Sequence, residues 1–196
     1  MPKSKELFKQ VVNDIALNEP QGEIESIVYI LFEKLLGLSR PDILLNRDVA
    51  LTNSPELKAA INRINQHEPI QYIVEEAEFY GRKFFVNSNV LIPRPETELL
   101  ISEIVNRNIA RPKILDIGTG SGCIAVSLSL EIPTSQIHGL DISEPALQIA
   151  RKNNNGLGGT SNFFRADIIN DQIPLQQLDF IVSNPPYIAD SEKKNT

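Results

Sequence analysis

A short polar segment, Asn184-Pro185-Pro186-Tyr187, follows an apolar run at 180–182 that is typical of a buried strand. Two consecutive prolines remove two backbone donors and fix two φ angles, so the segment cannot continue a central strand. The Asn184 side-chain oxygen and the backbone carbonyls can accept hydrogen bonds from a planar amino group, while the Tyr187 ring packs on its face. Such an arrangement positions a nitrogen for attack on an electrophile without a covalent nucleophile. The alternative is an ordinary Asn-Pro turn.

A glycine-rich loop, Gly118-Thr119-Gly120-Ser121-Gly122, connects a predicted strand at 113–117 to a predicted helix at 123–130. This order of elements is the usual cradle for a nucleotide-like cofactor, because glycines let backbone N–H groups approach the ligand at a helix N-terminus. The spacing Gly-x-Gly-x-Gly differs from the Gly-x-Gly-x-x-Gly of dinucleotide enzymes, and Asp116 precedes it. A carboxylate at that position suits the ammonium of a methionine moiety better than a pyrophosphate. The pattern therefore favours S-adenosylmethionine over NAD.

Two more acids follow predicted strands. Asp141 lies 19 residues beyond Gly122, close to the spacing at which an acid at the end of the second strand binds ribose hydroxyls. Asp167 follows the third strand and can accept a hydrogen bond from an adenine amino group, with Ile168 packing on the ring. We therefore expect one nucleoside site shared by these strand ends.

Three stretches of the chain differ in hydrophobic period. Apolar spacings of three and four predict a small helical bundle in residues 1–75, with helices over 4–17, 23–36 and 55–66. Residues 76–95 predict a β-hairpin linker that turns on Asn87-Ser88-Asn89. Residues 96–196 alternate strands with helices, which predicts an α/β domain with a parallel sheet.

Composition limits the classes of function. Lys and Arg number 19 against 25 Asp and Glu, a net charge of −6, which argues against an enzyme that grips a long nucleic-acid backbone. The single cysteine, Cys123, fits a reducing compartment. No apolar run approaches the ~20 residues that span a bilayer, and His67 has no second ligand nearby in the sequence. We expect a cytoplasmic monomer with no metal, no membrane association and no direct nucleic-acid partner.

Together these motifs resemble those of class I S-adenosylmethionine-dependent methyltransferases that modify a planar nitrogen. Three further segments resemble the HemK family of protein-(glutamine-N5) methyltransferases: His67-Glu68-Pro69-Ile70-Gln71-Tyr72-Ile73, Phe79-Tyr80-Gly81 and Leu91-Ile92-Pro93-Arg94-Pro95-Glu96-Thr97-Glu98. The likeness covers about residues 20–190. It implies a Rossmann-like catalytic domain, and an N-terminal domain that docks a class 1 peptide chain release factor. It also implies that the methyl acceptor is the glutamine of that factor's Gly-Gly-Gln motif. The methyl group would be transferred to it by in-line displacement at the sulfonium.

The resemblance also implies roles for individual residues. It assigns catalysis to Asn184, Pro185 and Tyr187. It assigns cofactor binding to Asp116, Gly118, Thr119, Gly120, Ser121, Gly122, Asp141, Asp167, Ile168 and Asn184. It assigns substrate binding to Asn184, Pro185, Pro186, Tyr187 and Arg94, the last held between two prolines in a cleft between the domains.

Two other functions stay open. The same Asn-Pro-Pro-Tyr segment could hold a flipped-out base in a DNA adenine-N6 methyltransferase, although the acidic balance argues against it. The second is a non-catalytic fragment that binds only cofactor or partner. A class I methyltransferase sheet has seven strands, and four are encoded before Thr196. We therefore expect an incomplete chain in which the fourth strand is an exposed sheet edge.

Overall fold

The computed structural model describes residues 3–49 and 54–185. Contacts divide the chain into two compact units, Met1–Glu75 and Glu76–Thr196. Of the predicted site, Pro186 and Tyr187 lie outside the described residues. No helix in the described ranges has both the length and the apolar character needed to cross a membrane.

The first unit is built of short helices around one apolar core. The helices are α1 (Ser4–Asp14), α2 (Gln21–Leu31), α3 (Arg40–Leu44), α4 (Pro55–Asn65) and α5 (Ile70–Ile73). A π-helical turn, Phe32–Leu36, extends α2 and ends at Gly37, whose φ is 63°. The core of the first unit includes Val28, Leu31 and Phe32, which are all fully buried. The predicted helical bundle is therefore present.

Capping residues determine where two of these helices begin. The Ser54 hydroxyl accepts a hydrogen bond from the Leu57 N–H over 3.3 Å, and Pro55 occupies the first helical position. A capping box formed by Ser39 and Asp42 begins α3. The helices α3 and α5 were not predicted, because each has too few residues to show a helical period.

The hairpin of the second unit turns earlier than predicted. Strand β1 (Glu76–Phe79) pairs antiparallel with β2 (Arg82–Phe85), and Tyr80 and Gly81 form the turn with φ values of 50° and 68°. A two-residue turn of this kind needs positive φ at both positions, which Gly81 adopts without strain. The predicted turn at 87–89 was wrong. Those residues form a separate turn after β2, and residues 90–92 are not a strand.

A four-stranded parallel sheet forms the centre of the second unit. Its elements are α6 (Glu98–Asn106), β3 (Lys113–Ile117), α7 (Cys123–Glu131), β4 (Gln136–Asp141), α8 (Glu144–Leu157), β5 (Asn162–Arg165) and β6 (Phe180–Ser183). The strand order is β5-β4-β3-β6, with every pairing parallel. This confirms the predicted Rossmann-like α/β class and its four strands.

The topology places a crevice at one edge of this sheet. The chain runs from β3 to β4 on one side, whereas β6 pairs on the other side of β3. Ligands of open parallel sheets bind at such a switch point, outside the carboxyl ends of the strands. In the described residues β6 pairs with β3 alone, and Ile181 is 64% exposed. The switch point lies between the glycine-rich loop after β3 and Asn184 after β6.

Candidate functional site

A cavity of about 510 Å³ opens at the carboxyl ends of the sheet. Each of the four strands contributes to the cavity wall, through its last residue or the residue that follows it. The wall is formed by Asn89, Val90, Leu91, Ile117, Gly118, Gly120, Leu140, Asp141, Ile142, Ser143, Ala146, Ala166, Asp167, Ile168, Ile169, Ser183, Asn184 and Pro185. The structure thus brings together seven of the twelve predicted site residues that it describes.

Several backbone donors of the glycine-rich loop are bound within the protein. The N–H groups of Gly118 and Thr119 both donate to the Leu140 carbonyl over 2.9 Å. The Gly120 N–H donates to Asp141 Oδ2 over 3.0 Å. We expected these donors to face the ligand, whereas they tie the loop to the end of β4. A Cβ added to Gly118 would have no atom within 4 Å, so the loop leaves room for a ligand by its lack of side chains.

Gly122 has a packing role. Its φ is 78°, and a Cβ at this position would lie 3.0 Å from Ala150 Cβ and 3.4 Å from the Phe163 ring. Gly122 lies outside the cavity wall, and the absence of a side chain lets the loop pack closely on α8. Ser121 is also buried and lies outside the wall.

Asp116 lies behind the loop, in the interior. It is 1% exposed, and Thr119 Oγ1 donates a hydrogen bond to its Oδ2 over 2.6 Å. Its Oδ1 has no hydrogen-bond partner in the part of the chain that the structure describes. Burial raises the pKa of Asp116 to about 6, against the opposing effect of the Thr119 hydroxyl. Neither residue forms part of the cavity wall, so a contact of Asp116 with the cofactor stays a prediction.

Asp141 is a half-buried carboxylate in the cavity wall. Its Oδ2 accepts the Gly120 N–H, and its Oδ1 accepts the Ser143 N–H over 3.0 Å. These two bonds hold the carboxylate at the end of β4. Each oxygen has further acceptor capacity, because an ionised carboxylate offers about four lone-pair sites. Asp141 can therefore bind hydroxyl groups of a ligand.

Asp167 and Ile168 form the far side of the wall, after β5. Asp167 Oδ1 accepts the Ile169 N–H over 2.9 Å, and Oδ2 accepts from Asn170 Nδ2 over 2.7 Å. The Asn170 hydrogen bond, with the backbone bond from Ile169, lowers the pKa of Asp167 below its ordinary value. Ile168 is 44% exposed. This side offers an ionised acceptor beside an apolar surface that fits a planar ring.

Asn184 and Pro185 complete the wall at the end of β6. The Ser183 hydroxyl donates to the Ile117 carbonyl over 2.8 Å, which fixes the strand end against β3. Asn184 Nδ2 donates to Thr97 Oγ1 over 2.9 Å. Sequence reasoning missed Thr97 as a site residue, although its Pro-Arg-Pro-Glu-Thr-Glu segment was recognised as characteristic.

Arg94 lies apart from these residues. It is exposed and does not belong to the cavity wall, while its carbonyl accepts the Thr97 N–H over 3.0 Å. Asn89, Val90 and Leu91, which precede Arg94 in the chain, do line the cavity, and sequence reasoning did not identify them as site residues. The role of Arg94 in substrate binding stays a prediction.

A buried asparagine on α8 joins the hairpin to the glycine-rich loop. Asn153 Oδ1 accepts the Phe85 N–H over 2.7 Å, and Asn153 Nδ2 donates to the carbonyls of Phe85 and Ser121, each over 2.9 Å. Asn153 is 4% exposed. The second strand of the hairpin is therefore part of the frame of the cavity. Sequence reasoning missed it, because a helical asparagine carries no signal of its own.

The donors and acceptors of the wall fit an adenosine-type ligand. Two carboxylates, Asp141 and Asp167, provide acceptors for hydroxyl and amino groups, and isoleucines between them provide an apolar surface. The glycines after β3 form another part of the wall, where the absence of side chains leaves space beside the backbone. Within the described ranges no three His, Cys, Asp or Glu side chains are grouped so that they could hold a metal ion.

Family models match both units of the chain. The model described as "Methyltransferase small domain" matches residues 95–196. The model described as "PrmC N-terminal domain" matches residues 6–74. The first match covers the glycine-rich loop, both wall carboxylates and Asn184.

Curated relatives from bacteria match nearly the whole chain, and each carries the name "Release factor glutamine methyltransferase". The relative from Bacteroides thetaiotaomicron is 45% identical over 189 residues, which cover 95% of this chain and 67% of the relative. The relative from Flavobacterium psychrophilum is 41% identical and covers 94% of this chain and 67% of its own length. The relative from Chlorobaculum tepidum is 37% identical, with 98% and 71% covered. This chain belongs to the release factor glutamine methyltransferase family.

Proposed function

We propose that this chain transfers a methyl group from S-adenosylmethionine to the side-chain amide nitrogen of a glutamine in a peptide chain release factor. The acceptor is the glutamine of the factor's Gly-Gly-Gln motif. One observation carries the proposal. Asn184, an amide positioned after a strand end, shares one cavity wall with the glycine-rich loop and the two carboxylates that fit an adenosine.

The residues that would hold the cofactor are those of the wall. Asp141 would accept hydrogen bonds from the ribose hydroxyls, and Asp167 would accept from the adenine amino group, while Ile168 packs on the ring. Gly118 and Gly120 leave space for the methionine portion. When bound, S-adenosylmethionine supplies an electrophilic methyl group on a sulfonium.

Asn184 and Pro185 would hold the substrate amide. Its two N–H groups donate to Asn184 Oδ1 and to the Pro185 carbonyl, which orients the nitrogen and draws its lone pair out of conjugation. Tyr187 and Pro186 complete this part of the proposal from the resemblance of the segment. The nitrogen loses a proton to solvent as it is alkylated, so the proposal requires no dedicated general base.

The experiment compares two protein substrates. The chain is incubated with methyl-labelled S-adenosylmethionine and a class 1 release factor, or with the same factor carrying Ala in place of the Gly-Gly-Gln glutamine. We expect label on the first factor and none on the second. A parallel incubation with duplex DNA tests adenine methylation, and label on the DNA alone would overturn the proposal.

Three features of the proposal are tested with the same material. Docking of the factor by the helical unit predicts that a factor peptide containing only the Gly-Gly-Gln loop is a poorer substrate than the whole factor. A monomeric chain predicts the mass of one chain in light scattering. A cytoplasmic location completes the proposal, and cell fractionation measures it.

A further inference from the structure

The two most characteristic segments of the sequence meet at one hydrogen bond. Asn184 Nδ2, after β6, donates to Thr97 Oγ1, at the start of α6, over 2.9 Å. The two residues lie 87 positions apart in the chain. One of the two segments, residues 93–98, had no role in the site as derived from its sequence, apart from Arg94.

Thr97 is held in place by its own backbone. It closes a 3-10 turn, Pro95–Thr97, that continues directly into α6. Its N–H donates to the Arg94 carbonyl over 3.0 Å, and the residue is 6% exposed. The next residue, Glu98, accepts the Tyr80 N–H over 2.8 Å, which ties the start of α6 to the hairpin turn. The position of the Thr97 hydroxyl is therefore fixed by these backbone hydrogen bonds.

The hydroxyl is not used in the usual way for a threonine at this position. Threonine before a helix commonly accepts a hydrogen bond from a backbone N–H of the first turn. Thr97 makes no such capping bond. Its polar atom is engaged by Asn184 instead, so the contact serves the strand end and not the helix.

In the structure the contact engages the donor end of the Asn184 amide and holds the side chain by that end. An asparagine carries a donor and an acceptor on the same rigid plane. The torsion that exchanges them is broad and roughly two-fold in a free side chain. With Nδ2 bound to Thr97, the acceptor Oδ1 is the end that remains for the substrate. The reversed amide would present N–H groups to the N–H groups of a glutamine.

We propose that Thr97 is a positioning residue for methyl transfer, acting through Asn184 by holding the amide with its oxygen toward the acceptor nitrogen. This inference rests on the proposed function. It adds a residue that touches neither cofactor nor substrate. Because the role depends on the hydroxyl and not on the shape of the side chain, serine should preserve it and valine should abolish it.

The first test compares Thr97→Val with Thr97→Ser in the whole chain. We expect Thr97→Val to lower kcat for release-factor methylation by about 10–100-fold, because a small misplacement of a reacting group costs about 100-fold. The dissociation constant for S-adenosylmethionine, whose nucleoside we place on Asp141 and Asp167, stays unchanged. Thr97→Ser stays close to wild type. Ser102→Ala, which removes a hydroxyl bonded to the Glu98 carbonyl in the same helix, is the control and retains wild-type kcat.

The second test asks whether Thr97 acts through Asn184. In an Asn184→Ala background, Thr97→Val should cause no further loss of rate, because the group it orients is already absent. Losses that multiply would overturn the inference. Equal activity of wild type and Thr97→Val would also overturn it.

The third test does not depend on catalysis. In an NMR spectrum of the chain, the Asn184 side-chain NH2 group should exchange its protons with water about tenfold faster in Thr97→Val than in wild type or Thr97→Ser. Equal exchange in all three variants would contradict the inference even if the wild-type chain transfers no methyl group. A wild-type chain that fails to methylate the factor, yet shows this difference, would contradict the proposed function alone.

Discussion

The buried carboxylate of Asp116 accepts a hydrogen bond from the Thr119 hydroxyl at one oxygen and, among the described residues, has no hydrogen-bond partner at the other. Burial disfavours the charged form of this carboxyl group, so its proton is retained to higher pH. The consequence concerns the stability of the folded chain.

The first prediction concerns pH and Asp116. Burial raises its pKa to about 6, above the value of about 3.9 in an unfolded chain. Between these two pKa values the folded state binds more protons at Asp116 than the unfolded state does. The contribution of Asp116 to the free energy of unfolding therefore falls as pH rises from about 4 to 6. The fall amounts to about 3 kcal/mol at about 1.4 kcal/mol per pKa unit.

The measurement compares wild type with Asp116→Asn in urea unfolding across this pH range. Other carboxylates titrate in both proteins, and the difference between the two curves isolates Asp116. We expect the free energy of unfolding of the asparagine variant to increase relative to that of wild type as pH rises, with no further change above pH about 7. A difference that is constant with pH would contradict a raised pKa.

The second prediction concerns Asn184. Replacement by alanine removes the acceptor proposed for the substrate amide and should lower kcat by about 10²–10³, as for the loss of one preorganised polar contact. Initial rates with saturating S-adenosylmethionine and release factor measure it. Asn106→Ala, an exposed asparagine at the end of α6, provides the control. A decrease below about threefold would refute the role given to Asn184.

The third prediction concerns Gly139 in β4. A Cβ at this position would lie 2.7 Å from the Phe163 ring and 2.9 Å from Thr119 Oγ1. Gly139→Ala should lower the free energy of unfolding by about 1–3 kcal/mol, because a filled interior has no room for an added methyl group. The displaced Thr119 should also loosen the loop, which a weaker affinity for S-adenosylmethionine would reveal.

A matched glycine lies in α8. A Cβ at Gly156 would have no atom within 4 Å, and alanine is the better helix former. Gly156→Ala should therefore raise the free energy of unfolding by about 0.5–1 kcal/mol. If both substitutions shift the urea midpoint in the same direction, close packing at Gly139 is not the cause.

The fourth prediction concerns Asn153, which bonds Phe85 in the hairpin and Ser121 in the loop. Asn153→Ala leaves buried backbone groups unpaired and should cost about 3 kcal/mol of stability. The exposed neighbour Asn155 provides the control, because its replacement by alanine leaves buried groups paired. Hydrogen exchange at the Phe85 N–H is the specific readout, and unchanged protection there would contradict the assignment.

Much of the fold could be predicted because it depends on local patterns. The strand β3, the glycines after it and the small apolar helix α7 follow each other directly in the sequence, and each was recognised from its own residues. The hairpin turn was misplaced because Tyr80 adopts a positive φ of 50°, which its residue type does not indicate. The Asn/Ser cluster at 87–89 carried a stronger turn signal but belongs to another turn.

The details of the site depend on contacts between distant residues. The acids at the ends of β4 and β5 were predictable, because parallel strands present their carboxyl ends at one edge. The bond between Thr97 and Asn184 was not, since neither residue indicates its partner. The binding of the loop donors by Leu140 and Asp141 was also unpredictable, because it depends on how closely the loop returns to β4.

The internal hydrogen bonds of the glycine-rich loop have a kinetic consequence. Because Gly118, Thr119 and Gly120 already donate to Leu140 and Asp141, an arriving ligand meets a loop that needs no ordering. Association should then be a single step whose observed rate rises linearly with ligand concentration, with no slow phase from loop closure. In this sense the site is preorganised, and the entropy of the loop is lost when the protein folds and not when the ligand binds.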